Sequence, residues 1–174
     1  MSFKDLKANG LWFIALGVLV VILDQASKLW ILANVPLYYD INILPVFDIT
    51  YVRNYGAAFS FLSNQDGWQR WFFTAVAFGI SALLIYWMAK TPWREQRQLW
   101  SYGLILGGAI GNVTDRLMHG YVVDFLHFYY QNWHFPAFNV ADSAICVGVL
   151  LLVLHSFFFD KEGRDGGAKD DKNA

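Results

Sequence analysis

The chain is 174 residues long, 56% hydrophobic and 18% aromatic, with only 16% charged residues and a net charge of -1. A soluble domain carries about 25% charged residues, so this composition, with a mean hydropathy of +0.34, excludes an ordinary soluble domain and points to a membrane protein. The length suits one domain, no basic cluster suggests a nucleic-acid partner, and the single cysteine, Cys146, excludes an internal disulfide framework or a multi-cysteine zinc site.

Four apolar segments are long enough to cross about 30 Å of hydrocarbon: Leu11–Ala33, Trp71–Ala89, Leu99–Met118 and Ala137–Phe159. Lys4 and Lys7 precede the first, as in a signal peptide. Its apolar run from Leu11 to Leu32 is longer than the roughly 7–15 residues of a signal-peptide core, so it reads as a retained transmembrane helix. Residues 34–70 form a long loop rich in Tyr, Ile, Val and Phe and punctuated by Pro45 and Gly56. That composition predicts a small sheet or hairpin, and Pro45 argues against a central strand there. The second long loop, 119–136, is aromatic and is expected to hold a short interfacial helix from Val122 to Trp133. In the third segment Gly103, Gly107 and Gly111 recur every four residues, a stripe that admits a close helix neighbour. Cys146, within the fourth segment, reads as a small buried hydrophobe. The tail after Asp160 is charged and Gly-rich and reads as disordered.

Lys and Arg placement sets an expected orientation. Lys90, Arg94 and Arg97 lie in the short loop, Lys161, Arg164, Lys169 and Lys172 in the tail, and Lys4 and Lys7 at the start. Four spans put all of these on one side, with both termini cytoplasmic and the loops 34–70 and 119–136 facing outward. Trp68, Trp71, Trp87, Trp93, Trp100 and Trp133 lie near the segment ends, where an interfacial belt would sit.

Ionisable residues inside apolar segments are costly and mark function by default. Asp24 and Lys28 are four apart and share a helix face. Asn112, Asp115 and Arg116 close the third segment, and Asp115 could pair with either Arg116 or Lys28. Asn139 and Asp142 open the fourth, where either could also be a helix N-cap. Asp124 sits among apolar neighbours at the outer edge. Two carboxylates meeting in a dry site share one proton, so Asp124 and Asp142 could act as a pair of acid and base. Spacing alone does not establish that they meet.

Other chemistries fit less well. There is no G-x-S-x-G, and adjacent helix positions diverge, so Ser27 and Lys28 do not make a Ser–Lys dyad. His119, His127, His134 and His155 lack an H-E-x-x-H arrangement. Asp124 and His127 could share a metal only on a helix; His127 and His134 read as interfacial side chains. The competing functional class is a small proton-coupled transporter using Asp24, Lys28, Asp115, Arg116, Asp124 and Asp142 as its relay. Those charges gather toward one end, whereas a transport path would continue across the bilayer.

The segments DQASK (Asp24–Lys28), RNYGAAFSF (Arg53–Phe61), GGAIGNVTDR (Gly107–Arg116), GYVVDF (Gly120–Phe125) and FNVADSAICVG (Phe138–Gly148) together resemble the bacterial lipoprotein signal peptidases, in order and in spacing. The resemblance implies a mainly α membrane fold in one domain over residues 1–174, with four transmembrane helices, an outer β-cradle and a short interfacial helix. It implies an aspartic endopeptidase of the inner membrane, working near its periplasmic face. Substrates would be diacylglyceryl-modified prolipoproteins, cut just before the lipidated Cys, and globomycin-type cyclic peptides would inhibit. No metal or organic cofactor is implied. Asp124 and Asp142 would be the catalytic pair, with Asp24, Lys28, Asn54, Gly56, Asn112, Asp115, Arg116 and Asn139 structuring the site or binding substrate.

Overall fold

A computed structural model describes residues 9–56 and 67–158. A 3-10 turn, Gly10–Phe13, leads into helix α1, Ile14–Asn34. Strands β1, Ile41–Leu44, and β2, Phe47–Asn54, follow. Helices α2, Trp68–Lys90, and α3, Gln96–His119, come next. Strands β3, Val122–Tyr130, and β4, Trp133–His134, precede the last helix, α4, Val140–Phe158. The expected tail disorder and the segment 57–61 of the second motif lie outside the described residues.

Three helical stretches, Gly10–Asn34, α2 and α4, are long and apolar enough to cross a membrane. Their outward faces carry exposed Leu19, Leu23, Phe72, Ile80, Leu150 and Phe157, which solvent would not tolerate as a continuous surface. Helix α3 is different. It has 24 residues, about 36 Å at 1.5 Å per residue, but polar groups weight both of its ends: Gln96, Arg97 and Gln98 at one, Asn112, Asp115 and Arg116 at the other. Gln96 and Arg97 are exposed at the first end; at the second, protein surrounds Asn112, Asp115 and Arg116. Leu99, Ser101, Asn112, Val113 and Asp115 are all buried, and α1, α2 and α4 all pack on α3. A Cβ on Gly107 would stand 2.6 Å from the Gly17 carbonyl oxygen of α1, so the glycine stripe serves the close approach its spacing predicts. Gly120, at φ 85°, ends α3 by donating its N–H to the Arg116 carbonyl, a left-handed cap that glycine adopts without penalty.

The four strands form one antiparallel sheet in the order β1-β2-β3-β4. Pro45 falls in the β1–β2 turn, where no ladder donor is needed, so the expected hairpin forms around it. The expected interfacial helix does not: residues 122–134 are a hairpin, strands β3 and β4 joined by a turn at Gln131 and Asn132. The reason is legible in VVDFLHFYY, a β-branched and aromatic run whose backbone groups pair with β2. Its register puts Asp124 opposite Val52 and Val122 opposite Asn54. The sheet caps one end of the bundle through a second core of Ile31, Val35, Tyr51, Val123 and Phe125. Cys146 is exposed rather than buried; it lines a cavity between α2, α3 and α4.

Candidate functional site

Two polar clusters meet where the sheet joins the helices. The first is centred on Lys28, buried at 1% exposure. Its Nζ lies 2.8 Å from Asp24 and 3.0 Å from Asp115, and it donates to Asn112 Oδ1 at 3.0 Å. The three ammonium protons therefore have three acceptors. Asp115 thus takes Lys28, one of its two expected partners. Gln25, which the sequence does not single out, completes the cluster by donating to Asp24, Asp115 and the Gly111 carbonyl. Its signal was present, since an amide in the middle of an apolar span calls for a partner. Asp24 also accepts the backbone N–H of Ala141, and Asp115 that of Val123, each at 2.9 Å. Ala141 immediately precedes Asp142, and Val123 immediately precedes Asp124. The ion cluster therefore pins the main chain one residue before each of the remaining two carboxylates.

Those two carboxylates form the second cluster. Asn139 is the N-cap of α4, its Oδ1 accepting the Asp142 N–H at 2.9 Å. The same side chain donates to Asp124 Oδ1 at 2.7 Å. One amide thus joins the Asp124 carboxylate to the backbone of Asp142, while it caps α4. Asn54 donates to Asp124 Oδ2 at 2.9 Å and Asn112 to Asp142 Oδ1 at 2.7 Å. No hydrogen bond to Asp142 Oδ2 is formed among the described residues. Burial pushes the Asp124 carboxyl up to about 7, and the charge of Asp142 adds to the rise; the bonds from Asn54 and Asn139 and the Lys28 charge pull it back.

Arg116 stays outside both clusters. It donates to the Gly56 carbonyl at 2.9 Å and lies 5.5 Å from the Phe73 ring centroid. Gly56 in turn donates its N–H to Asn54 Oδ1, so Arg116 ties the end of β2 to α3. With Asp142, Asn54 and Asn112 it forms the polar corner of a cavity of about 240 Å3 between α2, α3 and α4. Ser27 donates to the Asp24 carbonyl of its own helix and takes no part. Among the described residues no group of three or more His, Cys, Asp or Glu could hold a metal ion. All ten residues singled out in the sequence thus lie in one connected network.

Apolar helices around a buried, carboxylate-bearing centre define the class, a helical membrane protein with an internal polar site. Two solved structures share this fold, each a bacterial membrane enzyme determined by the in meso method. The one at 2.3 Å resolution has a TM-score of 0.75 at 32% identity, covering 83% of this chain and 87% of its own. The one at 1.9 Å has a TM-score of 0.72 at 32% identity, covering 85% and 93%. The lipoprotein signal peptidase of Shewanella pealeana is 56% identical over 94% of both chains, and that of Shewanella sediminis is 51% identical over 99% of this chain and 97% of its own. A family model described as signal peptidase II matches residues 16–158. The chain belongs to the signal peptidase II family.

Proposed function

We propose that this chain is an aspartic endopeptidase that removes the signal peptide from diacylglyceryl-modified prolipoproteins, with Asp124 and Asp142 as its catalytic pair. The observation that carries the reading is the single Asn139 side chain bonded to the Asp124 carboxylate and to the Asp142 backbone N–H, in a chain of the lipoprotein signal peptidase family. All four helices span the membrane in this reading, α3 shielded by the other three. Lys90, Arg94 and Arg97 put the α2–α3 loop in the cytoplasm. The sheet and both acids then face the periplasm, and the whole chain is one peptidase domain of the inner membrane. A transporter reading has no support: the buried charges form one contiguous cluster, and the relatives at 51–56% identity carry a peptidase name.

The chemistry follows from the two environments. A water lying between the acids loses a proton to Asp142, whose Oδ2 is available, as its oxygen attacks the scissile carbonyl carbon. Asp124, whose carboxyl titrates at about 7, donates its proton to the carbonyl oxygen. The resulting gem-diol collapses as the proton taken up by Asp142 passes to the leaving amine and one gem-diol hydroxyl returns its proton to Asp124, which restores the pair's shared proton. Asn54, Asn112 and Asn139 hold the acids in place; Lys28, Asp24, Asp115 and Gln25 hold the backbone that carries them. The leaving amine belongs to the lipidated Cys, whose acyl chains stay in the bilayer. Globomycin-type cyclic peptides would compete for the cavity beside Asp142.

The test is cleavage of a diacylglyceryl-modified prolipoprotein by the purified protein, followed by mass. Asp124→Asn and Asp142→Asn should each lower kcat by about 1,000-fold or more while keeping the fold. Near-normal turnover in either variant would reject the pair.

A further inference from the structure

The two acids open into different cavities. Asp142 lines the inter-helix cavity, whose remaining walls are mainly apolar: Phe73, Val76, Ile80, Ile105 and Ile145 among them. Asp124 lines a second cavity of about 370 Å3 on the sheet side, together with Asp40, Thr50, His127, His134 and Phe135. That volume lies within the range of ligand pockets. An amide cleaved between the two acids must send its chain in two directions. The apolar cavity suits the signal-peptide side; the other offers a different chemistry.

Its polar groups are arranged rather than scattered. His134 Nδ1 and His127 Nε2 are hydrogen-bonded at 3.2 Å, with the two rings within 10° of parallel. Asp48 stands 3.8 Å from His127 Nδ1, and that nitrogen makes no hydrogen bond among the described residues despite its burial. His134 keeps its Nε2 outside the pair and His127 holds that ring in place; Asp40 adds an acceptor and Thr50 a hydroxyl, while Phe135 and Pro136 close the wall. Such a lining matches an extended polar peptide, whose carbonyls and N–H groups need partners, better than an acyl chain.

Building on the peptidase reading above, we propose that the sheet-side cavity is a substrate subsite for the first residues of the mature lipoprotein after the modified cysteine, with His134 and Asp40 as its contacts and His127 holding His134 in position. Specificity for the segment beyond the cut then resides in the β3–β4 hairpin, apart from the acids.

Two substrates test this, sharing one signal peptide and one lipidated cysteine. One ends directly after the cysteine; the other continues for several polar residues. With the unaltered protein, kcat/KM should favour the longer substrate by about tenfold, the scale of one or two hydrogen bonds, and the difference should lie in KM. In His127→Ala/His134→Ala the ratio of the two kcat/KM values should fall to about one. A photo-crosslinker at the second residue after the cysteine should label residues 127–137 of the unaltered protein, a readout that needs no variant. Equal kcat/KM for both substrates, an unaltered ratio in the double variant, or crosslinks confined to α2, α3 and α4 would overturn the subsite. Failure of the unaltered protein to cleave either substrate would instead overturn the peptidase reading itself.

Discussion

Four aspartates sit at the junction of sheet and helices, Asp24, Asp115 and Asp124 buried and Asp142 part-buried, and they fall into two pairs with opposite environments. Asp24 and Asp115 each accept from the Lys28 ammonium, from Gln25 and from one backbone N–H. Asp124 accepts only from the neutral amides of Asn54 and Asn139; Asp142 Oδ1 accepts only from that of Asn112. The first pair shares a cation in direct contact. The second has none at hydrogen-bonding distance, and each member lies in the other's field. Residue type is the same, and Asp124 is as buried as Asp24 and Asp115, so the difference lies in the donors. A cation and fixed N–H groups occupy a carboxylate's acceptor sites and fix it in place; neutral amides in a dry pocket leave it able to take and release a proton. The fixed pair still contributes, because it anchors the backbone beside each reactive acid.

Removing the cation gives the largest expected effect. Lys28→Met leaves Asp24 and Asp115 buried without a counter-charge, and the protein should lose about 3–5 kcal/mol of stability, read from unfolding in detergent or bicelles. A variant as stable as the parent would show that the Lys28 cluster is not the anchor described here. Asn139→Ala acts on the other pair. It removes the amide that holds Asp124 and the cap of α4 together, so kcat should fall by about 10–100-fold. The cap itself should cost about 1 kcal/mol of stability. If kcat held while stability fell, Asn139 would be a cap and nothing more.

How far the sequence discloses this contrast depends on the reach of each interaction. Asp24 and Lys28 are four apart on one helix, so their pairing is readable from spacing. The apolar spans are readable from length, to within a few residues at each end. The role of Asp115 is half-readable, since nothing local chooses Lys28 over Arg116; the packing of α1 on α3 decides it. The convergence on Asn139 is not readable, because it requires β3 to lie along β2 in a register that puts Asp124 opposite Val52. Residues 122–134 were open to the wrong periodicity for the same reason: a helix and a strand compete in a short aromatic run, and pairing with a distant strand settles it. Family resemblance, rather than local physics, brought Asn54 and Gly56 into view.

The smallest expected effect concerns pH and separates the two pairs most directly. Asp124 titrates at about 7, above the ordinary aspartate value of about 3.9, so the folded protein binds this proton more tightly than the unfolded chain does. The stability it contributes is complete below about pH 3.9 and is lost as pH rises through about 7. Turnover should follow the same proton. If Asp124 is the donor, kcat falls as pH passes about 7, approaching tenfold per unit, or about 1.4 kcal/mol. The hydrogen bond from Asn54 lowers this titration point, so Asn54→Ala should move the alkaline limb of the rate profile to higher pH. Loss of the Lys28 charge should move it the same way, provided the variant stays folded. A limb that stays in place in Asn54→Ala, or shifts downward, would mean that the titrating group behind the rate is not Asp124.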